Sequence, residues 1–108
     1  MTSAPLSGRA RTHLKSLAHP LEPIVQVGAQ GITDALIEAV GVGLDDHELI
    51  KVKLGQSFEG DRHEAAQTIA KASGSAVVQV VGRIITLFRA RSKQRQAARK
   101  RPQIELPR

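Results

Sequence analysis

The chain of 108 residues has room for one domain and not for two, and its 41% of hydrophobic residues suffices for a core, which excludes wholesale disorder. Sixteen Lys and Arg against ten Asp and Glu give a net charge of +6, while the absence of cysteine excludes a disulfide framework, a thiolate zinc site and a cysteine nucleophile, and suits a reducing compartment. No apolar run approaches the roughly 20 residues of a membrane span, and Met1 to Ala10 lacks the apolar stretch of a signal peptide, so a soluble cytoplasmic protein is expected.

Leu6, Ala10, Leu14 and Leu17 recur at helical spacing, with Arg9, Arg11 and Lys15 on other faces, which predicts a helix over 7–18. Pro20 ends it, because the residue before a proline is pushed out of the helical region. The β-branched run Ile24-Val25-Gln26-Val27 predicts a strand, and Gly28-Ala29-Gln30-Gly31 follows it. Thr33 is placed to cap a second helix, with Asp34 favourable in its first turn and Ile32 positioned to staple against Ile37. Its buried stripe is Leu36, Ile37, Val40 and Leu44, and Gly41 and Gly43 mark its expected end.

From His47 to Leu54 the pattern alternates, with Ile50, Val52 and Leu54 on one face and Leu49, Lys51 and Lys53 on the other, as in a strand with one buried side and one partly wet, basic side. A loop over 55–60 leads to Asp61 and Glu64, spaced as a capping box, and to a helix whose inner face is Ala65, Ala66, Ile69 and Ala72 as far as Gly74. Residues 76–81 and 84–89 both read as strands, and Gly82-Arg83 between them suits a type II′ hairpin turn. The order α-β-α-β-α-β-β implies an α/β sandwich with a four-stranded mixed sheet, since only the last two strands can pair through a tight turn.

The charge is unevenly placed. Residues 1–88 carry eight Lys or Arg and nine Asp or Glu, a balance of −1, whereas residues 89–108 carry eight Lys or Arg and one Glu, a balance of +7. Between Arg89 and Arg101 there is neither an acid nor a large apolar residue, so the chain divides into a domain over 1–89 and a basic arm over 90–108, expected to be solvated. Arg89, Arg91, Lys93, Arg95, Arg99, Lys100 and Arg101 form an electrostatic footprint for a polyanion.

Gly28-Ala29-Gln30-Gly31 is the segment best suited to a ligand. Glycines between a strand and a helix start allow positive φ and close approach, and the amides at the Thr33 helix start favour an anion. The GXXG loop of KH domains holds a nucleic-acid backbone in this manner, though glycines in strand-to-helix turns also serve purely steric ends. No Lys-Ser/Thr pair follows as in a P-loop, and the third glycine and downstream acid of a dinucleotide fingerprint are missing. Asp45-Asp46-His47-Glu48 is the one dense run of potential metal ligands, but four consecutive residues do not converge on one ion without an unusual loop, so it reads as a polar helix-to-strand connection. His13 and His63 lie in helices beside basic residues and read as surface or phosphate-contacting residues and not as a general base, and no nucleophile elbow groups Ser, His and Asp. No enzyme, cofactor or small-molecule substrate is expected. Two Phe and no Trp or Tyr are too few for an RRM-type stacking platform. Phe88 reads as core, and Phe58, between glycines, as the one exposed candidate for stacking on a base. Recognition is therefore expected through backbone and shape.

Three stretches together, Leu14-Lys15-Ser16-Leu17-Ala18-His19-Pro20-Leu21, Pro23 to Thr33 and His47 to Lys53, resemble the CRM domain (chloroplast RNA splicing and ribosome maturation), most of all its bacterial single-domain YhbY-like members. The resemblance runs from about Leu6 to Phe88, and the ending Ile104-Glu105-Leu106-Pro107-Arg108 is also similar. It implies a fold similar to the C-terminal domain of bacterial translation initiation factor three and a non-enzymatic, RNA-binding role with large-subunit ribosomal RNA or its precursor particles. It places the RNA surface at Gly28, Ala29, Gln30 and Gly31, where many members carry Lys or another polar residue in place of Ala29. Thr33, Arg9, Arg11, Lys15, Lys51, Lys53 and the arm complete the expected site. The competing reading is an interaction module that docks through the arm on an acidic protein or an anionic membrane.

Overall fold

The computed structural model describes residues 6–90. Helix α1 (Gly8–Ala18) starts at Ser7, whose hydroxyl accepts from the Ala10 amide at 3.1 Å, and buries Ala10, Leu14 and Ala18, one per turn. Strand β1 (Val25–Val27) leads through the glycine loop to α2 (Asp34–His47), capped by Thr33 as expected. Strand β2 (Leu49–Leu54), α3 (Arg62–Ser73), β3 (Ala76–Val81) and β4 (Ile84–Phe88) complete the order α-β-α-β-α-β-β. The fold is α/β with a four-stranded mixed sheet in the order β1-β2-β4-β3. Only β1 and β2 run parallel, with Val25 opposite Val52 and Val27 opposite Leu54. The hairpin turn has Gly82 at φ +58, while Arg83 stays at negative φ, as a type II′ turn requires.

The sheet is covered on both faces. Val27, Ile50, Val52, Leu54, Ile85 and Leu87 meet Leu36, Val40 and Leu44 of α2 and Ala65, Ala66 and Ile69 of α3. On the opposite face Leu49, Val78 and Phe88 meet Leu14 and Ala18 of α1. A bulge between Val77 and Gln79 turns Val78 into this second cluster, and Arg11 Nη1 donates to the carbonyls of Val77 and Val78 at 2.6 and 2.8 Å. By strand alternation Lys51 and Lys53 share Leu49's face, where Lys51 is half-buried and Lys53 exposed, as the sequence pattern implies.

Three expectations are corrected. Gly41 and Gly43 do not end α2, which continues to His47. Its buried stripe runs on to Leu44, and that packing outweighs the roughly 1 kcal/mol helix penalty of a glycine. Gly43 is buried where an added Cβ would lie 2.8 Å from Ile24 Cδ1, so the absence of a side chain there serves packing against the segment entering β1. Asp45, Asp46 and His47 accordingly form the last turn of the helix, and only Glu48, fully buried at φ 63, connects it to β2. In α3 the inner face is Ala65, Ala66, Ile69, Ala70 and Ser73, while Ala72 is exposed, because the stripe continues from Ala66 to Ala70 one turn on.

Arg89 belongs to the fold. Its guanidinium donates to the carbonyls of Ser73 at 2.6 Å and Gly41 at 3.0 Å and pairs with Asp45 Oδ1 at 2.8 Å, joining the ends of α2 and α3 to the exit of β4. Arg89→Ala is expected to lower folding stability by about 2 kcal/mol in urea denaturation, because it removes an ion pair with Asp45 and two charge-assisted hydrogen bonds that join α2, α3 and the exit of β4. Thr86 carries the opposite sign. Its hydroxyl is buried with no hydrogen-bond partner among the described residues, so Thr86→Val, which keeps the shape, is expected to raise stability by about 1 kcal/mol in the same assay.

Candidate nucleic-acid interface

The parallel pairing of β1 and β2 brings the ends of both strands, the loops that follow them and the starts of α2 and α3 to one end of the sheet. The β3–β4 turn arrives there as well. Hydrogen bonds tie the three connections together: the Gly55 amide donates to the Val27 carbonyl at 2.8 Å, and the Leu54 amide to the Arg83 carbonyl at 2.7 Å. Arg83 returns its side chain to the carbonyls of Leu54 at 2.9 Å, Gly55, and Phe58 at 3.3 Å.

Within this end, the Gly31 amide donates to the Gly28 carbonyl at 3.0 Å, closing a turn that leaves Ala29 and Gln30 exposed at its tip. Gly31 has φ +77, so one of the two glycines is needed for its backbone conformation. Gly28 is different: its φ lies outside the left-handed region and open space surrounds the position of a Cβ. Thr33 accepts from the Leu36 amide at 3.1 Å, which leaves the amides of Asp34 and Ala35 at the mouth of α2. A groove of about 590 Å³ runs from this loop along the outer edge of β1, lined by Gln26, Gln30, Thr33 and Ala35 among others, with no charged side chain in its lining. The loop can therefore offer amides and close approach to an anion but no cation of its own.

The remaining expected site residues are distributed around the fold. Lys53 is exposed one residue before the end of β2 and is the expected cation nearest the loop end. Arg9 and Lys15 are exposed on α1, over the other half of the sheet, and Lys51 Nζ lies 3.5 Å from the His19 carbonyl at the C-terminal end of α1. Arg11 and Arg89 are expected to face a polyanion; both are half-buried and donate to backbone carbonyls of neighbouring elements, Arg11 to Val77 and Val78, Arg89 to Ser73 and Gly41. Arg91, Lys93, Arg95, Arg99, Lys100 and Arg101 lie outside the described residues. Phe58, expected to be exposed, is half-buried against the main core, and the edge of its ring abuts Gly60.

Sequence reasoning passes over Arg62 as a site residue, uses Arg83 only as a turn residue, and reads His63 as a surface or phosphate-contacting residue. They line a recess of about 370 Å³ with Leu54, Phe58, Gly60, Asp61 and Gly82, at the same end of the sheet. The signal available was positional: Arg62 and His63 follow the α3 cap, and Arg83 sits in the hairpin turn. Among the described residues, no three His, Cys, Asp or Glu are placed to hold a metal ion, and no helix is long and apolar enough to cross a membrane.

An α/β domain that gathers a glycine turn, two helix starts and several cations at one end of its sheet has the form of a module that holds a nucleic-acid backbone. The chain belongs to the CRS1/YhbY (CRM) domain family, whose profile matches residues 6–89. It is 37% identical over 102 residues to probable RNA-binding protein YqeI of Bacillus subtilis, covering 94% of this chain and 99% of that protein. It is 39% identical over 99 residues to probable RNA-binding protein MJ0652 of Methanocaldococcus jannaschii, covering 90% and 73% respectively. The solution structure of Staphylococcus aureus SAV1595, described as a candidate RNA-binding protein, superposes with a TM-score of 0.74 at 38% identity, over 95% of this chain and 100% of that one.

The two glycines are expected to respond differently to substitution. Gly31→Ala should cost roughly 1 kcal/mol of stability, from a side chain forced to positive φ, whereas Gly28→Ala should fall within about 0.5 kcal/mol of the parent, both read by thermal or urea denaturation.

Proposed function

We propose that the protein is a non-enzymatic, cytoplasmic RNA-binding protein that contacts ribosomal RNA during assembly of the large ribosomal subunit. The observation that carries the reading is the Gly28–Gly31 turn: exposed, closed by its own hydrogen bond, set at the start of α2, and built with a glycine at position 28 that the fold itself does not require. Family membership and the RNA-binding names of the relatives support RNA as the ligand. The large-subunit assignment follows the likeness to single-domain YhbY-like members.

In this reading the turn amides and the mouth of α2 hold a phosphate, Lys53 adds charge beside them, and the segment 91–108 adds affinity through its cations. Phosphate contacts dominate affinity and are screened by salt, so the roles separate experimentally. Removing residues 91–108 is expected to flatten the slope of log K against log salt for duplex RNA by about four units, the contribution of about five phosphate contacts. Gly28→Asp, which adds a carboxylate where a side chain meets open space, is expected to weaken RNA binding about ten-fold or more with the thermal midpoint preserved. Crosslinking in cells followed by sequencing of the attached RNA tests the identity of the ligand: enrichment of large-subunit precursor RNA supports the reading, and enrichment of messenger RNA, or recovery of no RNA, removes it.

A further inference from the structure

The glycine groove lacks a cation, and a phosphate chain crossing this end of the sheet must find its charge partners beside it. The recess behind the β2–α3 loop supplies them. Its volume of about 370 Å³ lies at the lower end of the roughly 300–1,000 Å³ typical of small-ligand sites. Arg62 and His63 are exposed at its rim. The three acceptors of Arg83 are neutral carbonyls, so they fix the guanidinium in place without cancelling its charge. Phe58 contributes an aromatic ring that is only partly covered. Its backbone is held on both sides, the amide on the Gly55 carbonyl at 3.1 Å and the carbonyl by Arg83 at 3.3 Å. The ring edge lies against Gly60, where a Cβ would stand 2.9 Å from Phe58 Cζ.

We propose that this recess is a nucleotide-binding subsite, taking one unpaired base against the Phe58 ring and the adjoining phosphate at the guanidiniums of Arg62 and Arg83. The inference rests on the RNA-binding reading and extends it from the backbone to one base. A ring and one guanidinium, that of Arg83, already in position lower the ordering cost of the contact, and stacking on an aromatic face tolerates any base. The Asp61 carboxylate also lines the recess, with Oδ2 accepting from the Glu64 amide at 2.8 Å. It places a negative charge at the start of α3, so the phosphate goes to the guanidiniums and not to the helix mouth.

The test uses the full chain and an RNA hairpin whose unpaired loop carries 5-iodouridine. Phe58→Leu keeps an apolar side chain against the core and removes the ring; Arg62→Gln removes an exposed charge without touching the fold. The expected result is a dissociation constant raised about five-fold or more for Phe58→Leu, and a salt slope lowered by about one unit for Arg62→Gln. Irradiation of the unmodified protein with the RNA is expected to give an adduct mapped to residues 58–63. Wild-type affinity in both variants, with adducts mapped only elsewhere, overturns the subsite while leaving RNA binding intact. Failure of the unmodified protein to bind the RNA at all overturns both readings. Should Phe58→Leu prove unstable, Arg62→Gln and the adduct position decide alone.

Discussion

The parallel pairing of β1 with β2 is the constraint from which the rest of the molecule follows. Two parallel strands need a crossover, and α2 provides it by packing Leu36, Val40 and Leu44 on the sheet. Because both strands then end at the same edge, the loops that leave them and the helices those loops start are brought together without any further device. Ligands of open α/β sheets gather at strand ends for the same reason. The hydrogen bond from Gly55 to Val27 and those made by Arg83 fasten the arrangement, so that three connections distant in sequence form one surface.

The same geometry changes what the net charge means. The body of the chain is nearly neutral, but its cations do unequal work. Arg11 and Arg89 are half-buried and donate to backbone carbonyls, at the β3 bulge and between α2 and the end of α3. Arg9, Lys15, Lys53, Arg62, Lys71 and Arg83 are exposed, Arg83 with its guanidinium held by the neutral carbonyls of the β2–α3 loop. A count of basic residues therefore overstates the charge open to a polyanion, and the position of Lys53 and Arg62 near the loop end matters more than the total.

Most of the fold was legible in the sequence because period and caps agree with the tertiary packing. Thr33 and Asp61 cap the helices the pattern assigns to them, and Gly82-Arg83 makes the turn its chemistry requires. The misplaced end of α2 has a long-range cause: glycines at 41 and 43 resemble a helix end, yet packing of Leu44 and the contact at Ile24 decide the outcome, and neither is a local property. The candidate site was legible only in its local part. Gly28 to Gly31 stands out between a strand and a helix, but whether an arginine faces solvent or a carbonyl depends on partners up to 67 residues away, as Arg11 shows. The recess of Phe58, Arg62 and Arg83 joins the stretch between β2 and α3 to the β3–β4 turn, and their proximity is a consequence of strand order.

Titration of the isotopically labelled full chain with a structured RNA, followed by backbone amide shifts, tests the central claim most directly. The account predicts the largest shifts at 28–34, 53–63 and 82–83, one contiguous surface at the loop end of the sheet. Shifts confined to residues 91–108, or to the outer face of α1 around Arg9 and Lys15, would contradict it.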